Sequence, residues 1–174
     1  MPAQSLSLLP KTRPWRLGNE GREVCFEVLG IAQPKGSPEH FVLPNGRVAI
    51  TERGPHKAWQ KEVRDGAIAA VGTQGPLQGP LWARVVFYLP RPKSAPKTVR
   101  TVPDVRPDVD KLLRATLDGL RGVAITDDAK IVVCEVGKVY SSRPRVEVRV
   151  RGVRTSDLQW IGAYGEDEVM PGGH

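Results

Sequence analysis

The sequence predicts an α+β domain, a mixed or antiparallel sheet of about five strands carrying two main helices. Three observations lead there. The nearly all-apolar run Leu81–Leu89 (L-W-A-R-V-V-F-Y-L) is rich in β-branched and aromatic residues, and Pro90, Pro92 and Pro96 end it. Two other segments repeat apolar residues at helical spacing. Further on, Val146, Val148 and Val150 alternate with Arg145, Glu147, Arg149 and Arg151, the period of a strand with one face on a core and the other in water.

Taken in order, residues 1–22 read as an irregular arm, with Pro2, Pro10 and Pro14 and no sustained period. Val24–Leu29 is a strand ending at Gly30, and Gln33–Pro38 is a loop by its Pro and Gly content. Phe41–Leu43 and Arg47–Ile50 flank Pro44-Asn45-Gly46, whose Asn-Gly step tolerates the positive φ of a tight hairpin. Between Lys57 and Val71, Trp59, Val63, Ala67 and Val71 mark one helical face, and Gly72 supplies the stop. A connector, Gly75–Pro80, leads to the strong strand. Residues 91–106 then form a proline-punctuated basic loop, with Arg91, Lys93, Lys97, Arg100 and Arg106 against the single acid Asp104.

The second helix is the cleaner one. Val109, Leu112, Leu113, Thr116, Leu117 and Leu120 follow its period, Asp110, Arg114 and Asp118 lie on its polar side, and Gly122 follows its end. Ile131–Tyr140 and Arg145–Arg151 are two further strands, joined by the short turn Ser141–Pro144. The periodicity is lost from about residue 155. The expected organisation is an arm at 1–22, one domain at 23–153 and an acidic tail at 154–174.

A chain of 174 residues can bury a core without covalent staples. Its formal net charge of +7 and pI near 9.7 point to nucleic acid or an anionic surface as partner. The basic character belongs to the body, since residues 151–174 carry two arginines against four acids. Cys25 and Cys134 stand far apart in strand-like contexts, and His40, His56 and His174 show no ligand spacing, so the expectation is two buried free thiols and no zinc. No segment reads as a signal peptide, and the uncharged stretch 66–83 is too rich in Gly, Gln and Pro to span a membrane. The expected setting is the cytoplasm, with no small-molecule cofactor and no membrane partner.

Within this basic chain, acids gather twice, at Asp108-Val109-Asp110 and at Asp127-Asp128. A polyanion does not require them, whereas a divalent cation does: hard carboxylate oxygens suit Mg²⁺, with Mn²⁺ as its substitute, and such a cage sets the ion against a phosphodiester. Each acid also has an ordinary use. Asp108 stands where a helix cap belongs, Asp110 favours the helix dipole, Asp127-Asp128 suits a turn, and Asp110, Arg114 and Asp118 are spaced for salt links. The acids can meet within one chain only if the strand that follows Asp128 starts near Asp110.

The stretch from Arg106 to Gly122 (R-P-D-V-D-K-L-L-R-A-T-L-D-G-L-R-G), followed by Asp127-Asp128-Ala-Lys-Ile-Val-Val133 and Lys138, resembles the RusA family of Holliday-junction resolvases. The family pattern is roughly P-D-x-D-N-L-x-K-x-x-L-D-A-L, a short gap, D-D-x-x-V and a later Lys. Gly30, Pro34-Lys35-Gly36 and Leu89-Pro-Arg-Pro92 resemble its first strand and basic connector, so the likeness covers about residues 24–151. It implies a homodimeric, Mg²⁺-dependent endodeoxyribonuclease of recombination and repair, often of phage origin, that cuts four-way junctions by paired symmetric nicks. Asp108, Asp110 and Asp128 would be its metal-binding catalytic carboxylates.

Two positions depart from the pattern: Lys111 replaces the family Asn and Arg114 the family Lys. An arginine keeps the charge but gives up the readily shifted pKa, so Arg114 is expected to stabilise charge electrostatically, with Lys111 as helper. Lys35, Lys93, Lys97, Arg100, Arg106, Lys111 and Lys138 are the expected DNA contacts. The rival readings are another branched-DNA or flap nuclease with the same metal site, and a basic DNA-binding module whose acids are caps and turns.

Overall fold

The computed structural model describes residues 21–36, 39–42, 44–51, 54–93 and 102–161. Six strands and three α-helices follow in order: β1 (Glu23–Leu29), β2 (Glu39–Val42), β3 (Val48–Thr51), α1 (His56–Val71), β4 (Leu81–Leu89), α2 (Val109–Leu120), β5 (Ile131–Tyr140), β6 (Arg145–Gly152) and α3 (Thr155–Trp160). A 3₁₀ turn at Asp128–Lys130 leads into β5. The fold is α+β with a mixed sheet, but the strands divide differently from the single sheet of about five that was expected. Four build the main sheet in the order β1-β6-β4-β5, while β2 and β3 pair as a separate hairpin. The periodicity that revealed each strand says nothing about which strands share a sheet.

β4 and β5 are parallel, and their connection runs through α2, as a parallel pair requires. The remaining neighbours are antiparallel. The Ser141–Pro144 turn therefore does not close a hairpin between β5 and β6; it carries the chain past β4 to its far side. Among the described strands, β5 is left at an edge of the sheet.

Both long helices cover one face of the sheet, α1 against β1 and α2 against β5. On that face Val24 and Val28, then Ala83, Val85 and Phe87, then Val146, Val148 and Val150 are buried beneath Trp59, Val63 and Ala67 of α1 and Leu112, Thr116 and Leu120 of α2. The helices approach closely at Gly119, where an added Cβ would stand 2.9 Å from the Gln60 carbonyl oxygen and 2.9 Å from the Val63 Cβ. Gly72 ends α1 at φ 57, its N–H donating to the Ile68 carbonyl.

The opposite face carries charged rows. Arg149 pairs with Glu23 at 3.2 Å, Arg145 with Glu147 at 2.8 Å and Arg143, in the turn before β6, with Glu27 at 2.9 Å, so these arginines are met by acids. Cys25 lies on this face and is exposed, and Cys134 is exposed on the edge strand. This corrects the expectation of buried thiols. Val24 and Val28 take the inward positions of β1, so the period of two turns Cys25 outward.

The segment expected to be an acidic tail begins with a docked element. Asp157 of α3 takes both guanidinium nitrogens of Arg151, at 2.7 and 2.9 Å, and accepts from the Arg154 N–H at 2.7 Å. Arg151 also stacks over Trp82 at 4.1 Å, and Leu158 packs with Trp82, Val133 and Val153. The Arg151 bond, ahead of the backbone bond and nearby charge, holds the Asp157 carboxyl below its ordinary value of 3.8. A lowered folded-state pKa stabilises above 3.8 and loses that contribution as pH falls through the lowered value. An acid titration followed by tryptophan fluorescence should therefore show α3 undocking in acid before the sheet melts, and Asp157→Asn should already be loose at pH 7. No helix among the described residues is long and apolar enough to cross a membrane.

Candidate active site

The first acidic pair sits where α2 begins. Asp108 occupies the N-cap with extended backbone angles, φ −66 and ψ 137, yet its side chain accepts no capping hydrogen bond. Its carboxylate turns instead to Lys111, Oδ2 to Nζ at 3.0 Å. That hydrogen bond, then the charges of Lys111, Arg106 and Lys138, hold the Asp108 carboxyl below its ordinary value. Asp110, in the first turn, is exposed, as is Arg114 one turn further on. Neither side chain makes a hydrogen bond or ion pair with another described residue. The cap reading of Asp108 and the salt links through Arg114 are thus both absent, and these groups face water.

The third residue of the former chain of links, Asp118, has other partners. Its Oδ2 takes Lys35 Nζ at 3.0 Å and Gln60 Nε2 at 3.0 Å, and the Lys35 N–H donates to the Lys111 carbonyl at 3.0 Å. The network ties the 31–36 loop and α1 to α2. Lys35, expected as a DNA contact, is largely covered and its ammonium is engaged here. Lys138 is likewise engaged, donating to the carbonyl oxygens of Val105 at 2.9 Å and Pro107 at 3.0 Å. It straps the loop ahead of Asp108 to β5. Lys93 and Arg106 are exposed beside this end of the sheet, while Lys97 and Arg100 lie outside the described residues.

The second acidic pair divides its labour. Asp127 caps the 3₁₀ turn, Oδ1 accepting from the Ala129 N–H at 2.9 Å, and that bond is the first cause of its lowered pKa. Asp128, half-exposed, meets Arg121 at 3.7 Å. Arg121 is the C-cap of α2, whereas Asp108 is the N-cap. Twelve helical residues rise about 18 Å, so Asp128 stands at the far end of the helix from Asp108 and Asp110. β5 agrees, since its start follows Asp128 and its Lys138 lies against the loop before Asp108. The condition for an acid cluster within one chain is not met. Among the described residues no three Asp, Glu, His or Cys side chains gather as a metal site.

Between the two acidic ends runs an apolar flank. Leu113 and Leu117 lie on the side of α2 away from Gly119 and α1, and both stay half-buried. On the neighbouring edge strand Val132 and Val136 are exposed. The second helix thus has a wider apolar arc than its own sheet covers.

Comparison with known proteins covers the region that carries these motifs. The chain is 30% identical over 143 residues to the protein called "Uncharacterized protein YqaN" of Bacillus subtilis (strain 168), a match spanning 75% of this chain and 96% of that protein. The family profile described as "Endodeoxyribonuclease RusA" matches residues 32–151, from the loop after β1 to the end region of β6 and including both acidic pairs. The chain belongs to the RusA endodeoxyribonuclease family.

Proposed function

We propose that this protein is a Mg²⁺-dependent endonuclease resolving four-way DNA junctions by paired symmetric nicks, with each active site shared between two copies of the chain. The observation that carries the reading is the position of Asp128, at the opposite end of α2 from Asp108 and Asp110. A two-fold axis across the free edge of β5 sets two such strands antiparallel. The Asp128 end of one copy then faces the Asp108 end of the other. The unpaired edge and the apolar flank of Leu113, Leu117, Val132 and Val136 favour such a contact, because an exposed edge strand invites pairing. The same symmetry presents two sites to a two-fold-symmetric junction.

The donor set fits a hard cation: carboxylates only, with Asp108 uncapped and Asp110 open. Asp108 and Asp110 of one copy, with Asp128 of the second, would hold Mg²⁺ or Mn²⁺. When bound, the cation supplies charge to the scissile phosphate and lowers the pKa of a coordinated water. The side chains of the protein do the rest. Lys111, against Asp108, and Arg114, one turn beyond Asp110, set positive charge where negative charge builds. Arg114 does this without moving a proton, since a guanidinium stays charged. Arg106 and Lys93, with Lys97 and Arg100 between them in sequence, bind flanking phosphates and fix position. Lys35 acts through α2, as a strut.

The test uses a synthetic four-way junction and its matched duplex, with Mg²⁺, Mn²⁺ or a chelator. Paired nicks confined to the junction are expected with either cation, and binding without cutting in the chelator. Equal cutting of plain duplex would overturn junction specificity. Binding that never leads to cutting would leave the DNA-binding module, and faster cutting of a flap than of a junction would favour the other nuclease.

A further inference from the structure

The loop that enters Asp108 carries apolar side chains that phosphate binding does not use. Val102 is 68% exposed and Val105 57%, in a segment that also presents Arg106 to water. Single exposed valines are common on protein surfaces. These two differ in that their loop is braced. The Asp104 N–H donates to the Val102 carbonyl at 3.0 Å, and Pro103 is buried. Lys138 Nζ grips the carbonyls on both sides of Arg106, those of Val105 and Pro107. With its carbonyl drawn onto β5, Val105 holds its side chain outward three residues before Asp108.

DNA offers an apolar side chain little on its backbone. Its largest apolar surfaces are the base faces, and in a duplex each is covered by a neighbour. At a branch point two of the strands cross between helices, so the stack there is held by fewer continuous strands and a base face can be reached at a lower unstacking cost, the principle by which apolar wedges enter DNA. The phosphates flanking the branch are the ones a junction nuclease cuts.

We propose that Val105, braced by Lys138, inserts against the base faces at the branch point and makes cutting conditional on branched DNA. The inference rests on the reading of the chain as a junction endonuclease and names the feature its site recognises. Lys138 is on this account a positioning residue, acting through the 105–107 loop.

The experiment places 2-aminopurine at the branch of a four-way junction, with Ca²⁺ replacing Mg²⁺ to hold the uncut complex. Wild-type protein should raise the fluorescence as the base unstacks. Val105→Ser should lose most of that rise and cut the junction about ten-fold more slowly, the scale of one lost apolar contact. Junction affinity, set chiefly by phosphates, should hardly change. Val105→Leu should keep the rise, and Lys138→Met should lose it although Val105 is intact. Ile68→Ser, removing an exposed apolar residue of α1, is the control and should match wild type. The wedge is overturned if Val105→Ser gives the wild-type rise and rate, or if Ile68→Ser impairs them equally. A wild-type protein that binds and unstacks the junction but never nicks it with Mg²⁺ sinks the nuclease reading while leaving the wedge in place.

Discussion

Asp110→Asn and Asp128→Asn are each expected to lower junction cleavage by about three orders of magnitude, the scale on which single charged groups act at a reacting phosphate, and to regain activity when mixed. If each site takes Asp110 from one copy and Asp128 from the other, a mixed dimer places both substitutions in one site. The other site is then fully wild type. Mixing should restore single nicks without restoring paired ones, which a denaturing gel of a junction labelled on two strands distinguishes. Sites complete within one chain predict the opposite, because every site would keep one substitution. A mixture as inactive as its components, under conditions where subunits exchange, therefore overturns the shared site. Junction binding by both variants, measured in parallel, excludes simple misfolding.

Gly119→Val should be the most damaging small change to the fold. The Cβ alone would stand 2.9 Å from the Gln60 carbonyl oxygen, and a backbone atom cannot rotate away. Opening the α1–α2 contact would also pull Gln60 from Asp118 and disturb the Lys35 strut. Overpacking of this kind costs about 3 kcal/mol, which lowers Tm by roughly 10 °C in a chain of this size. Thermal unfolding followed by circular dichroism measures it, and a variant melting within a degree or two of wild type would show that the helices can separate cheaply. Gly122→Ala is the useful companion. Nothing lies within 4 Å of its added Cβ, but its φ of +73 penalises any side chain.

Periodicity in the sequence located the elements well because each strand and helix announces its own buried face. Leu81–Leu89 and Ile131–Tyr140 run as expected, and Trp59, Val63, Ala67 and Val71 are the buried line of α1. The face of α2 is displaced from the expected one. Leu112, Thr116 and Leu120 are buried as anticipated, but Ala115 and Gly119 join them while Leu113 and Leu117 remain half-exposed. Hydrophobicity alone overlooks small residues, which bury by letting a neighbouring helix come close. α3 was missed because six residues are too few to show a period, and its anchor is the Arg151–Asp157 pair.

The candidate site was legible as residue types and much less as geometry. Of the second acidic pair, Asp127 is taken up as the cap of the 3₁₀ turn, a difference between two adjacent aspartates that the sequence does not carry. The distance of Asp128 from Asp110 depends on sheet order, which no local pattern encodes. The Lys35–Asp118 bond joins residues 83 positions apart, and Lys138 reaches back 31 to Pro107. Such pairs have no sequence signal, since Lys35 and Pro107 lie on loops and the Pro107 partner is a backbone carbonyl.

The order β1-β6-β4-β5 has a consequence for the making of the protein. β6 is synthesised after its neighbours, yet its place is between β1 and β4. Until it emerges, β1 has no partner in the main sheet, and β4 and β5 form a lone parallel pair with open edges. A nascent chain halted at that stage exposes unsatisfied backbone that can pair with other chains. The main sheet can therefore close only after its last strand has been made.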